Sequence, residues 1–198
     1  MSSENINPEK PSKKSDHSGP FDKFLWLDFF TRKNETQKET TETLKLNLLF
    51  KNLTNYELKL ISRMVHQRRY ERNESIFTQG EKGLGMYMIV KGRIEIQVHA
   101  DGPLEPSVRI VTTLTDGSFF GELALIDDHN KRTASAFAKG PTTLLGFFKP
   151  DLMQIIERKP DVGVKILIQL SKILGKRLTE TTELISQMTV RIDKDAPA

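Results

Sequence analysis

Between Arg68 and Phe148 the chain breaks into short runs of β-forming residues punctuated by glycine, and this rhythm constrains its fold more than any other feature. The runs are Ser75–Phe77, Met86–Val90, Ile94–Val98, Val108–Leu114, Ala134–Ala138 and Leu144–Phe148. Gly80, Gly83, Gly85, Gly92, Gly102, Gly117 and Gly140 mark the turns. Ile94, Ile96 and Val98 alternate with Glu95 and Gln97, the pattern of a sheet with one wet face. Many short strands separated by turn signals predict a sandwich or barrel.

Inside this region, residues 117–136 carry the chemistry. Gly121 and Glu122 open a short apolar run, Leu123, Ala124, Leu125 and Ile126, in which one helical turn is expected. A helix start presents free N–H groups and a positive dipole end to an anion. Gly121 allows a backbone conformation that a side chain would forbid, and lets a ligand come close. After the polar stretch Asp127–Lys131 comes Arg132, a planar fork of donors suited to phosphate. Thr133 adds a hydroxyl and Ala134 keeps the wall small. Glycine, acid, apolar turn, loop and Arg-Thr-small together make a phosphate pocket with a second polar reader beside it.

The order Phe120-Gly121-Glu122-Leu123-Ala124-Leu125, followed by Arg132-Thr133-Ala134-Ser135, resembles the phosphate-binding cassette of cyclic-nucleotide-binding domains. Tyr87-Met88-Ile89-Val90-Lys91-Gly92 is similar to the roll of the bacterial catabolite activators, so the resemblance covers about 48–190. It implies a mainly β fold with flanking helices: an antiparallel β-roll or jelly roll, with N-terminal helices and a long C-terminal helix. It further implies that Glu122 accepts the ribose 2′-hydroxyl and that Arg132 neutralises the cyclic phosphate. Leu123, Thr133 and Ala134 would line the phosphate with N–H and hydroxyl donors, with Gly121 and Ala124 in the same cassette. Arg177-Leu178-x-x-Thr181-Thr182-Glu183 resembles the activators' long helix. On that resemblance Thr181 reads the base in its own subunit and Thr182 the base across a dimer.

The remaining segments frame this centre. Residues 1–20 are rich in Ser, Pro, Lys, Asn and Asp, and are expected to form a disordered tail. The segment Phe21–Phe30 holds the only Trp at helical spacing; a helix docked on the domain or on a partner subunit is favoured over a membrane-surface anchor, since its flanks are not strongly basic. Residues 31–43 read as a linker or an exposed helix, so that 21–47 form an N-terminal extension. Thr54-x-x-Glu57 is a capping box, and Leu58, Ile61, Met64 and Val65 predict a helix over about 55–66, ended by His66. The roll and its short helices occupy 48–160. Pro150 starts a helix with Leu152, Ile155 and Ile156 on its apolar face. Pro160 closes it, and a long helix follows within 161–192. Leu167, Leu174, Leu178, Ile185 and Met188 fall near a seven-residue repeat, which predicts a two-helix seam in a homodimer.

Several function classes fall away. Without cysteine there is no disulfide, thiolate catalysis or cysteine-ligated zinc, as fits a reducing cytoplasm. His17, His66, His99 and His129 show no metal-ligand spacing, and Ser118 and Ser135 have no identifiable base, so neither a metal nor an enzyme is expected. A net charge of +4 is no nucleic-acid footprint, and too few residues follow the long helix for a groove-reading module. No run approaches the ~20 apolar residues that span a bilayer, and membrane association is not expected. The expectation is therefore a stand-alone cytoplasmic receptor for cAMP or cGMP, signalling through helix rearrangement to an effector protein. The alternatives are a ligand-independent scaffold and a transcription regulator lacking its DNA-reading domain. Thr133 resembles cassettes that accept cGMP and Thr181-Thr182 resembles a cAMP reader; cAMP is favoured.

Overall fold

The structure is a computed structural model that describes residues 37–101, 106–127 and 131–195. These residues belong to a unit beginning at Gln37; the expected tail and the Phe21–Phe30 segment lie outside them. Among the described residues eight strands follow in order: β1 (His66–Tyr70), β2 (Ser75–Phe77), β3 (Gly85–Lys91), β4 (Arg93–Asp101), β5 (Pro106–Thr115), β6 (Phe119–Phe120), β7 (Ser135–Ala138) and β8 (Thr142–Phe148). They form two four-stranded sheets, ordered β1-β8-β3-β6 and β2-β7-β4-β5, with every pairing antiparallel. Helical residues flank the strands: α1 (37–46), α2 (Asn55–Ile61), α3 (Lys149–Arg158) and α4 (Pro160–Asp195). The expected mainly β roll with N-terminal helices and a long C-terminal helix is the observed architecture.

The first sheet is covered on both faces. Alternation along β3 sends Met86 and Met88 into a helical layer with Phe50, Phe147, Leu152 and Ile166, while Ile89 joins Tyr70, Phe120, Ala136 and Leu144 between the sheets. This double burial explains why Met86–Val90 and Leu144–Phe148 read as continuous apolar runs. The second sheet covers the roll from the other side.

The capping box forms as expected: the Glu57 amide donates to Thr54 Oγ1 at 3.3 Å, and the Thr54 amide donates to Glu57 Oε2 at 2.6 Å. The helix is shorter than its periodicity predicts. It stops at Ile61, and Met64 and Val65 reach the core from a turn instead. His66 is therefore not a helix C-terminal residue; it opens β1, opposite Gly146. Strand pairing with β8 outweighs the local helical spacing there. The α1 stretch, expected to be linker or exposed helix, buries Thr40 and Leu44. The two-residue β6 was too short to show in the pattern.

The wet face of β4 also departs from expectation. Glu95 is buried at 6% exposure, accepting from Lys139 Nζ at 3.1 Å and from Gln97 Nε2, and a register shift between Ile96 and Gln97 breaks the alternation. The bonds from Gln97 and Lys139 hold the Glu95 carboxyl below the usual glutamate range.

Pro160, expected to close α3, opens α4 after Lys159. Val162, Ile166, Leu170 and Ile173 face the helical core at steps of four, four and three, which is one face of an α-helix. Two polar links tie the same part of α4 to the N-terminal helical layer. Lys165 Nζ donates to Glu57 Oε1 at 2.6 Å, and Asn52 Nδ2 donates to Gln169 Oε1 at 3.2 Å. From Gly175 to Gln187 every described side chain is exposed. Leu167 and Leu174, expected in an intersubunit seam, pack half-buried against the chain's own core.

The bond from Lys165, supported by those from Thr54, holds the Glu57 carboxyl below its ordinary range. A depressed folded pKa contributes stability that is present above the unfolded value of ~4.3 and lost as pH falls through the folded value. Lys165→Ala is expected to cost about 0.5–1 kcal/mol at pH 7 and less at pH 3, as Glu57 takes up its proton. Urea unfolding of the two proteins at both pH values measures the difference.

Candidate functional site

Phe119 and Phe120 pair with Met88 and Tyr87, so the chain leaves β6 at a fixed point and turns at Gly121. Gly121 has φ 76° and ψ 17°, the left-handed region that disfavours a side chain. It caps a 3-10 turn, Glu122–Leu125, where one helical turn was expected. The Gly121 carbonyl accepts from the Ala124 amide at 3.2 Å and from Arg132 Nη1 at 3.1 Å. The turn and the arginine are thus joined through one oxygen.

Arg132 reaches this point from the segment that leads into β7. Its amide donates to the Glu81 carbonyl and its own carbonyl accepts from the Gly80 amide, each at 2.8 Å. Its Nη2 donates to the Gly85 carbonyl at 2.8 Å. The residue is 8% exposed, and its Nε is a buried donor with no partner. Among the described residues no carboxylate pairs with it. Burial pulls its pKa below the ordinary arginine value, with opposing pulls from Tyr87, Glu81 and Glu122. Lys131 is exposed, as alternation along the chain predicts for the neighbour of an inward residue.

Between these elements lies a recess of about 270 Å³. Gly121, Glu122, Leu123, Ala124, Arg132, Thr133 and Ala134 all line it, so the structure brings every expected cassette residue together. Phe77, Ile96, Thr112, Leu114, Phe119 and Phe120 form the rest of the wall with one further residue, Arg177. Ala124 is buried with its methyl facing Gly83, where an added Cβ would lie 2.7 Å away; the small wall is required on both sides.

Arg177 escaped the sequence reading as a site residue. It projects from α4 to Glu122, donating through Nη1 to Oε1, while Nη2 lies 3.4 Å from the Phe119 carbonyl. Its guanidinium also sits 4.9 Å from the centre of the Phe119 ring. Glu122 is 4% exposed, so its carboxylate is compensated by a cation 55 residues away. The available signal was its place four residues before Thr181 on the same helix. Thr181 and Thr182 themselves are exposed, one turn further on, and are not among the residues lining the recess. Their hydroxyls donate to the carbonyls of Arg177 and Leu178 at 2.8 and 2.9 Å. Among the described residues no cluster of three or more His, Asp or Glu side chains could hold a metal.

With this geometry in hand, comparisons with known proteins identify the class. Residues 67–159 match the family described as "Cyclic nucleotide-binding domain". The chain is 32% identical over 138 residues to the cyclic AMP receptor protein of Thermus thermophilus, covering 69% of this chain and 60% of that one. The catabolite activator protein of the same organism superposes with a TM-score of 0.64 at 29% identity, over 72% of this chain and 63% of that one. A cyclic nucleotide-binding domain from Methylobacillus flagellatus shares the fold, with a TM-score of 0.66 at 22% identity, over 83% and 86%. This chain carries, over residues 67–159, a domain of the cyclic-nucleotide-binding family. It spans less than two thirds of the length of the curated relatives it matches.

Gly121→Ala tests the local geometry. The new methyl would sit in a left-handed conformation and overlap the Arg132 guanidinium. A loss of about 1–3 kcal/mol of folding stability is expected from chemical denaturation, with the Arg132 side chain displaced from the Gly121 carbonyl.

Proposed function

We propose that this chain is a non-catalytic cytoplasmic receptor for a cyclic nucleotide, with cAMP preferred over cGMP, and that α4 carries its output to a protein partner. The observation behind the proposal is the buried guanidinium of Arg132, which lines the recess and, among the described residues, has no carboxylate partner and keeps an unsatisfied Nε. A cyclic phosphate supplies the missing negative charge and acceptors. Glu122 is the acceptor for the ribose 2′-hydroxyl, and Leu123, Thr133 and Ala134 surround the phosphate.

The preference for cAMP follows from the threonine hydroxyls. Their protons are committed to main-chain carbonyls, which leaves lone pairs outward. Lone pairs accept from the amino group of adenine and oppose the O6 of guanine. For Thr182 to read a base across a dimer, two copies of α4 must meet. Val164, Ile168, Ser171, Gly175, Leu178 and Thr182 recur at alternating steps of four and three, and all six are exposed. This heptad face supports a homodimer seam one strip away from the expected Leu167–Leu174 register. Ligand binding alters the output because a ribose that engages Glu122 changes what Arg177 holds. The ligand must then bind the two arrangements of α4 with different affinity.

Titration calorimetry with cAMP and cGMP tests the proposal directly. Arg132→Ala should lose about two to four orders of magnitude in affinity while circular dichroism stays unchanged. Arg132→Lys should recover only part of the loss, and Lys131→Ala should be nearly silent. 2′-Deoxy-cAMP should bind about ten- to a hundredfold more weakly than cAMP. No binding of either nucleotide by the unaltered protein returns the scaffold reading. For the seam, sedimentation at tens of micromolar is expected to show a dimer, and Leu178→Glu a monomer with its fold intact.

A further inference from the structure

The proposed function leaves one question at its centre: what holds a buried guanidinium in place before any anion arrives. The two carbonyls, Gly85 and Gly121, lie in the plane of the fork and fix its edges. They do nothing for its faces. On one face lies the ring of Phe77, whose centroid is 4.0 Å from the Arg132 guanidinium carbon. Tyr87 is further off, at 5.9 Å.

The backbone delivers Phe77 to this position. β2 pairs with β7 at Ser75–Phe137 and at Phe77–Ala136, with a register shift between the two pairs. Such an irregularity re-aims the side chain that follows it. Immediately beyond β2 the chain turns through Gly80 and Glu81, whose main-chain groups clamp both the amide and the carbonyl of Arg132. Phe77 and Arg132 therefore sit on two segments bonded to each other on either side of the contact. The ring is braced in turn by Phe120, 5.7 Å away between centroids, and by Tyr87 at 6.0 Å. Phe77 is half-buried and lines the recess, so its ring is both a wall and a platform.

We infer that Phe77 is a positioning residue for the ligand: its ring face holds the Arg132 guanidinium by a cation–π contact, pre-orienting the fork towards the recess. This inference deepens the cyclic-nucleotide reading and rests on it for the ligand. The physics is specific. The negative face of an aromatic ring attracts a cation, and more strongly where water is excluded, as at Arg132. An aliphatic side chain of similar reach would fill the space without that attraction. A lysine in place of Arg132 would lose the stacked plane as well as the fork.

The experiment separates electrostatics from packing. Phe77 is replaced by phenylalanines carrying one, three and five fluorines, which withdraw charge from the ring face while changing its shape little. cAMP affinity is measured for each by calorimetry, with a thermal melt as control. Affinity is expected to fall stepwise, by about tenfold in all, while the melting midpoint holds. Phe77→Tyr should stay close to the unaltered protein, and Phe77→Leu should fall with the fluorinated series. A flat series overturns the inference, because packing alone would produce one. The second measurement needs no nucleotide: the Nε–H resonance of Arg132 in the free protein. It should be shifted upfield by the ring and return towards an ordinary arginine position in Phe77→Leu. If the unaltered protein binds no cyclic nucleotide, the function proposed above fails, and this resonance alone decides the contact. An unshifted resonance in the unaltered protein overturns it.

Discussion

The structure depends on a positive charge taken out of water that no carboxylate among the described residues pairs with directly. The Arg132 guanidinium is held by two carbonyls and an aromatic face rather than by a carboxylate. Such an arrangement is costly for a fold that is only a fold, since an uncompensated buried ion loses its hydration. Its elements fit one another only around that charge. The left-handed turn at Gly121 offers its carbonyl to the fork, and the Gly80–Glu81 segment clamps the main chain. The missing side chain at Gly83 makes room for Ala124.

The pair formed by Glu122 and Arg177 has the opposite character. Glu122 is compensated, but by a residue on a different structural layer. Arg132 is tied to the roll, whereas Arg177 belongs to α4. The recess is therefore closed by one contact that is internal to the β-structure and one that bridges to the helix. A ligand touching both necessarily reports on their relative position. Under the proposed function, that is the physical content of a sensor: a site whose two halves stand on a sheet and on a helix.

Much of this was legible in the sequence because it is local. Gly121, Glu122 and the apolar turn are contiguous, and Arg132 to Ala134 are contiguous, so their order and the family resemblance it carries announce them. The strands with glycine boundaries were legible for the same reason. What could not be read depends on contacts distant along the chain. Arg177 faces Glu122 only because α4 packs back over the roll. Phe77 stacks on Arg132 only because β2 and β7 pair with a shifted register. His66 looks like the end of a helix until β8 provides a strand to pair with. Leu167 and Leu174 share a heptad with Leu178, yet the first two turn to the chain's own core because the roll lies beneath them. Periodicity shows which residues share a face; it does not show which body that face will meet.

The division of α4 has a mechanical consequence. Its first four turns are packed by Val162, Ile166, Leu170 and Ile173 and strapped through Lys165 and Gln169. The remainder extends to Asp195. At about 1.5 Å per residue, the stretch beyond Ile173 is an arm of roughly 33 Å. A rotation of about 10° at its base would sweep the far end through roughly 6 Å, the rise of one helical turn. Rotations too small to disturb the packing of the roll would thus emerge at the tip as a sideways displacement of several ångström, and a partner gripping the arm there would be carried with it.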